Sequence, residues 1–183
     1  MMLKRIFTAS FFIISLSATA QKLPYRTQTD AGILAGEGVK PSFTFQTFHG
    51  VAIVGEKLQA GVTAGVDLYE PLPILPISAV LKWNLSNSKS FSTFLNFSAG
   101  YGFDWLQDRT DIREFDGGLM FNPSVSLRVN SAKRAKLNLS LGYKQQEAEV
   151  RSNASIIVVP GGGSLFTDEY TFKRVSLTLG LSL

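Results

Sequence analysis

Tyr170-Thr-Phe-Lys-Arg-Val-Ser-Leu-Thr-Leu-Gly-Leu-Ser-Leu183 is the stretch that decides the fold, because from Val175 onward every second residue is aliphatic. The residues between them are small or hydroxylated. A period of two with one apolar face and one small polar face predicts a β-strand whose two faces meet different environments. An unpaired strand at a sheet edge is an aggregation hazard, so this strand needs a partner. We predict that it pairs with the first strand and closes a barrel whose apolar face meets lipid.

The same alternation recurs along the chain and predicts eight strands in total. They lie at residues 27–36, 41–54, 57–69, 77–84, 91–105, 118–129, 137–150 and 170–183, the first being the least regular. Residues 70–76 contain three prolines, which cannot donate ladder hydrogen bonds, so this segment is predicted to be a loop. Residues 107–114 form a charged loop, and residues 151–169 form the longest irregular segment. The architecture predicted is an all-β, eight-stranded antiparallel up-and-down transmembrane barrel.

The lengths of the connections support a membrane barrel. Connections after the second, fourth and sixth strands are short, whereas those after the third, fifth and seventh are longer and charged or rich in Pro and Gly. Outer-membrane barrels show this asymmetry between short periplasmic turns and long extracellular loops. Tilted strands of about 9–11 residues can cross a bilayer, and the segments found here are long enough.

The two faces of the strands separate a lipid-facing barrel from a soluble one. The second face of a soluble sandwich or lipocalin would be wet and rich in charge. Here that face carries mainly Gly, Ser, Asn and Thr, which suits the narrow interior of an eight-stranded barrel. The few charged residues on it are expected to pair inside the lumen: Asp67, Lys82, Asp104, Arg128 and Lys144.

The first twenty residues carry an export signal. Lys4 and Arg5 precede an apolar run and an Ala18-Thr19-Ala20 cleavage site, which together are typical of a secretory signal peptide over residues 1–20. Cleavage leaves one domain, residues 21–183, and lowers the formal charge from +4 by the two residues lost, to +2. So small a net positive charge does not favour nucleic acid as a partner. The chain has no cysteine, which excludes disulfides.

Several strand segments resemble the small outer-membrane β-barrel proteins common in Bacteroidota. They are Ser42-Phe-Thr-Phe-Gln-Thr-Phe-His-Gly50, Ala60-Gly-Val-Thr-Ala-Gly-Val-Asp67, Leu75-Pro-Ile77, Ala99-Gly-Tyr-Gly-Phe103, Phe121-Asn-Pro-Ser-Val125 and Leu139-Ser-Leu-Gly-Tyr143. The resemblance spans most of residues 21–183. It implies an eight-stranded barrel of the OmpA/OmpX kind, inserted by the outer-membrane insertion machinery and surrounded by outer-membrane lipids. It implies no defined activity.

Residues that could carry chemistry are few. His49 is the one histidine, so a clustered His/Cys metal site is excluded by count. Barrel-type lipid A deacylases and acyltransferases use a His with a Ser and an acid, and Asp67 or Glu70 could supply the acid here, but no Ser lies in a nucleophile motif. We therefore expect no catalytic, cofactor-binding or metal-binding residues and no cofactor.

The function expected is that of a monomeric, non-enzymatic outer-membrane barrel with a structural or surface-interaction role through its extracellular loops. A lipid A-modifying hydrolase or acyltransferase and a soluble lipocalin-like binder are the alternatives.

Overall fold

Eight antiparallel strands form a closed barrel in which each strand pairs with its neighbours in the sequence. The computed structural model describes residues 23–36, 39–69, 73–104, 113–130, 135–153 and 165–183. The strands are β1 (Tyr25–Gly36), β2 (Val39–Val54), β3 (Leu58–Leu68), β4 (Pro73–Asn87), β5 (Phe91–Asp104), β6 (Arg113–Val129), β7 (Lys136–Asn153) and β8 (Leu165–Ser182). The predicted fold class, strand number and strand order are confirmed. The predicted signal peptide, residues 1–20, lies outside the described residues.

The closing pair is the one that the sequence predicts. β8 pairs with β1 from Gln28↔Ser182 to Ala35↔Val175, a seam of eight residue pairs. β1 begins at Tyr25 rather than at residue 27. The weakly patterned first segment is thus a full member of the barrel, because both of its backbone edges are paired.

The strands are staggered, and the stagger fixes the width of the barrel. A path from Tyr25 that passes from each residue to its partner on the next strand returns to β1 at Ala35. The strands are therefore staggered by ten residues around the whole barrel (35 − 25 = 10). The path runs through Val51, Ala60, Leu81, Phe97, Pro123, Tyr143 and Val175. Pro123 stands opposite Tyr143 because its neighbour Ser124 pairs with Gly142. A staggered barrel has tilted strands, and with eight of them the interior is just wide enough for side chains to fill.

The prediction that residues 70–76 form a loop is wrong for the second half of that segment. β4 begins at Pro73, and Pro76 pairs with Gly102 of β5. On the other side, the described β3–β4 ladder has no pair at Leu75 or Pro76. Proline has no backbone N–H to donate. Because Pro76 has no partner in the described β3–β4 ladder, its lack of an N–H removes no hydrogen bond between β3 and β4.

The wall of the barrel is higher on one side. Pairing of β7 with β8 continues to Asn153↔Leu165, whereas β8 pairs with β1 only as far as Val175. β6 likewise extends beyond β5, from Gly117 to Arg113, and pairs there with β7 alone in the described ladders. The predicted loop over residues 151–169 therefore overlaps β7 at its start and β8 at its end, and the last two residues of the predicted loop over 107–114 belong to β6. Residues 105–112 and 154–164 lie outside the described residues.

The two ends of the barrel differ in their connections. Residues 55–57 and 88–90 link β2 to β3 and β4 to β5, and we call this end, at which β8 also finishes, the turn end. The opposite end, which carries the connections after β1, β3, β5 and β7, is the loop end. At the turn end Gly55 has a φ of 52°, which glycine adopts without steric cost, and the Lys57 N–H donates to the Val54 carbonyl. The predicted short turns after the second and fourth strands are confirmed.

The alternation of the strands separates an apolar outer surface from a polar interior. Large hydrophobic side chains are exposed on every strand, for example Ile33, Phe45, Val62, Leu81, Phe97, Leu127, Leu141 and Leu179. The residues between them point inward and are mostly buried polar or charged groups. Phe94 is an apolar residue at an inward position of β5 and is buried in the interior, as the alternation requires. Within the described residues, no helix has the length and apolar character needed to span a membrane.

Candidate functional site: the barrel interior

Among the described residues, six charged side chains are buried in the interior, more than the sequence pattern assigns to it. They are Asp30, Asp67, Lys82, Arg128, Lys144 and Arg174. A buried charge is costly unless it is paired or hydrogen-bonded, so the arrangement of their partners determines how the interior is built. Four of the five charges predicted for the lumen lie there. The fifth, Asp104, is exposed at the end of β5, so its predicted place inside is wrong.

Asp67 and Lys144 form an ion pair across the lumen between β3 and β7. Their side chains are 0% and 2% exposed, so the pair is fully removed from bulk solvent. The Thr44 hydroxyl donates a 2.7 Å hydrogen bond to Asp67 Oδ1, which satisfies a second site on the carboxylate. A charge-assisted contact of this kind is about twice as strong as a neutral hydrogen bond, and here it ties opposite sides of the wall together.

Lys82 is held by hydrogen bonds and by an aromatic ring. Its Nζ donates to Gln28 Oε1 at 2.8 Å, and Gln28 Nε2 donates to Asp30 Oδ1 at 2.7 Å. Lys82 Nζ also lies 3.9 Å from the centroid of the Phe48 ring, a favourable cation–π distance. These two hydrogen bonds link β4 to β1, because the neutral amide of Gln28 bridges the Lys82 ammonium and the Asp30 carboxylate.

The Phe48 ring occupies space that glycine leaves open. A Cβ added to Gly61 would lie 2.8 Å from Phe48 Cε2, which is closer than real Cβ contacts come, and one added to Gly50 would be closer still to the same ring. Both glycines lie on strands next to Phe48, on β2 itself and on β3. A large aromatic side chain fits in this narrow lumen because two neighbouring positions carry no side chain.

Arg128 lies near the turn end and is fixed on two sides. Its Nε donates to Asn138 Oδ1 at 2.9 Å, and its guanidinium carbon is 4.4 Å from the centroid of the Phe94 ring. Deeper in the lumen, Asn96 Nδ2 donates to the hydroxyls of Ser124 and Ser126. Short polar side chains thus link β5, β6 and β7, as the abundance of Ser and Asn on this face predicts.

A small apolar cluster lies above the polar groups at the loop end. It consists of the buried residues Leu34, Tyr69, Ile74 and Ala148, with Phe172 packed against them. The rings of Tyr69 and Phe172 stack with their centroids 4.6 Å apart. Sequence reasoning missed this cluster because its members are isolated apolar residues on an otherwise polar face, and only the strand register brings them together.

Two of the cavities lined by described residues bear on the interior. One of about 40 Å³, lined by residues such as Lys82 and Asn96, lies in the middle of the lumen and has room for very few water molecules. The other, of about 170 Å³, lies at the turn end between Arg26, Arg128 and Lys136. At mid-height the lumen is therefore largely occupied by side chains, and the more spacious opening of the two is the basic one near the rim.

His49 lies on the outer surface of β2, away from the lumen. Its Nδ1 is hydrogen-bonded to the Tyr25 hydroxyl at 2.6 Å and its Nε2 to the Thr47 hydroxyl at 3.1 Å. Asp67 points to the inside of the wall, so the structure does not bring together the histidine and this candidate acid. Glu70, the other candidate acid, lies outside the described residues. Among the residues described, no group of three His, Cys, Asp or Glu side chains is placed to hold a metal ion.

Comparisons with known proteins show similarity of fold. No protein-family model matches the sequence, and no curated protein matches it. Neisserial surface protein A (NspA) superposes with a TM-score of 0.55 over 87% of this chain and 96% of that protein, at 11% identity. The outer membrane protein OprG from Pseudomonas aeruginosa gives the same TM-score over 87% of this chain and 94% of its own, at 10% identity. The chain therefore has the fold of these small outer-membrane β-barrels.

Proposed function

We propose that this chain is a non-enzymatic β-barrel of the outer membrane, with a structural or surface-interaction role carried by the connections at its loop end. The observation that carries the proposal is the inverted distribution of polarity: apolar side chains cover the outside on all eight strands, and buried polar side chains line the inside. A soluble monomer rarely exposes a contiguous apolar patch of more than a few hundred Å², whereas a membrane barrel requires an apolar band around its circumference.

The rest of the molecule is consistent with that location. Tyr25, Trp83 and Phe91 are exposed near the turn end, and Phe103 and Tyr170 near the loop end, as two interfacial aromatic girdles would require. A signal peptide over residues 1–20 would direct the chain to the envelope, with residues 21–183 forming the barrel. The similar structures are those of a surface protein and of an outer membrane protein, which points the same way.

The partners that follow from the proposal are few. Outer-membrane lipids would surround the outer face as far as the girdles, and the insertion machinery would assemble the chain as a monomer. The resemblance of the strand segments to the small barrels of Bacteroidota favours that type within this class. Long connections on a rigid scaffold commonly carry recognition, so the segments over residues 105–112 and 154–164 are the proposed contact surfaces for extracellular partners.

Membrane residence has a direct test. We expect the chain to sediment with outer-membrane fragments, to resist extraction by alkaline carbonate, and to migrate faster on denaturing gels before boiling than after it. The shift arises because a closed barrel keeps its hydrogen-bond ladder in detergent until heated. A chain that stays in the soluble fraction without detergent would instead support the lipocalin-like alternative.

The absence of lipid A chemistry is a second expected result. We predict that His49→Ala leaves the acyl pattern of lipid A unchanged, because His49 bonds to Tyr25 and Thr47 on the outer face and is not joined to Asp67. Mass spectrometry of lipid A from cells producing the wild type, the variant or neither chain is the measurement. A pattern that changes with the wild type and reverts with His49→Ala would overturn the non-enzymatic proposal.

A further inference from the structure

We propose that the cavity at the turn end is a binding site for a phosphate group, either as free phosphate or as the headgroup of a phospholipid. The cavity measures about 170 Å³ and opens near the rim, where β1, β3, β6, β7 and β8 begin or end. A space of this size is large enough for a tetrahedral oxyanion of five heavy atoms.

The charge of the site favours an anion. Three basic side chains line the cavity, those of Arg26, Arg128 and Lys136, and no Asp or Glu is among the described residues that line it. Of these three, Arg26 is ion-paired with Glu56, so Arg128 and Lys136 are the two cations whose charge the cavity can offer to a ligand. Two cations facing a space partly shielded from solvent attract a doubly charged phosphate more strongly than a singly charged anion.

Arg128 presents donors that are fixed before any ligand binds. It is 6% exposed and is held by the bond from its Nε to Asn138 and by the Phe94 ring. That bond uses one of the five N–H donors of a guanidinium, and the others belong to the two Nη nitrogens. A planar fork of this kind matches the spacing of phosphate oxygens, and little side-chain freedom is lost when it binds.

Gln59 supplies an independent sign of a missing partner. Its side chain is 0% exposed and lines the cavity, yet neither Nε2 nor Oε1 has a hydrogen-bond partner. A buried amide without partners is rare in folded proteins and calls for an explanation. A phosphate oxygen in the cavity would accept a hydrogen bond from Gln59 Nε2, so one ligand would satisfy that donor and pair with Arg128 and Lys136.

Calorimetric titration tests the site. The purified full chain is placed in an alkyl maltoside, a detergent without phosphate, and titrated with inorganic phosphate or with chloride at equal ionic strength. We expect saturable one-site binding of phosphate alone. Lys136→Gln should weaken it about tenfold, because a hydrogen bond to a charged group is lost. Lys89→Gln is the matched control, since Lys89 is exposed in the turn at the same end and does not line the cavity.

A neutral variant separates a built site from general attraction between charges. Gln59→Leu keeps the net charge, so a loss of about fivefold or more would support direct bonding by the amide. Thermal unfolding without phosphate shows that each variant is folded. Short-chain phosphatidic acid forms the second arm: tighter binding than inorganic phosphate identifies a lipid headgroup as the source, and equal or weaker binding identifies free phosphate. The proposal is overturned by an absence of saturable phosphate binding, or by equal losses in Lys136→Gln and Lys89→Gln.

Discussion

Asp67→Asn is expected to destabilise the barrel by about 3–5 kcal/mol, because it leaves the ammonium of Lys144 buried without its counter-charge. Lys144 is 1% exposed and cannot recover its hydration without opening the wall. Asparagine keeps the size of the side chain and can still accept from Thr44, so the loss isolates the charge. The measurement is the free energy of unfolding in urea, with the barrel folded into phospholipid vesicles.

Two further variants calibrate that result. Asp104→Asn makes the same chemical change at an exposed carboxylate and should alter stability by no more than about 0.5 kcal/mol. Asp67→Asn combined with Lys144→Met removes both charges and should recover most of the loss, since a buried ion pair replaced by neutral groups is often close to neutral overall. If the single and double variants were equally unstable, the ion pair would not be the cause.

Leu141→Arg is expected to cost about 2–4 kcal/mol, because it places a charge on the outer face near the middle of the membrane band. Leu141 is 58% exposed and faces outward between its neighbours Val125 and Leu177. Little packing inside the protein depends on this side chain, so the change in stability on its replacement measures whether lipid or water surrounds the outer face. The measurement is again unfolding in vesicles, and insertion into membranes in cells should fall with stability.

The depth of the substitution supplies the control. Leu137→Arg lies at the start of the same strand and on the same face, close to the turn end, where the cost should fall to about 0–1 kcal/mol. On a soluble barrel, both arginines would be solvated and neither would be costly. Equal and small effects at both positions would therefore contradict the lipid-facing assignment of the outer surface.

The sequence predicts the course of the barrel well wherever one face is apolar. The alternation and the short turns define both ends of β3 and β5 and the C-terminal end of β8 to within one residue, because lipid or core contact imposes a period of two. Boundaries fail where that constraint stops. Beyond Gln145 the outward residues of β7 include polar groups such as Glu147. The strand therefore continues to Asn153 without the apolar alternation from which the sequence predicts a strand.

Proline shows a different limit. A rule against proline in ladders excludes Pro73 and Pro76 from β4, yet a strand can accept proline where one side is unpaired: in the described ladders Pro76 has no partner on β3 and Pro73 has none on β5. Pro123 in β6 sits in the same way, since the described β6–β7 ladder has no pair there. Such an interruption is a property of two strands together and cannot be found in the local sequence of one.

The sequence predicts most of the interior charges, with the exception of Asp30 and Arg174, but it does not predict how they pair. Alternation places Asp67, Lys82, Arg128 and Lys144 inside, but the partner of each depends on the stagger between strands that lie far apart in the chain. The basic cavity at the turn end also depends on register, because Arg26, Gln59 and Lys136 meet only after the ring has closed. The misplacement of Asp104 has the same origin: alternation continues past the rim, where there is no longer an interior.

The seam between β1 and β8 has a consequence for how the barrel can form. It contains eight residue pairs, against eighteen between β7 and β8, and it joins segments separated by most of the described chain. Closing so long a loop carries the largest entropic cost of any pairing in the barrel. Until it forms, β1 and β8 each present a row of unsatisfied amides and carbonyls, which hydrocarbon does not tolerate. A half-built sheet would therefore have no stable existence in the bilayer, and the route to the native state must either be concerted or keep both free edges covered until the last pair joins.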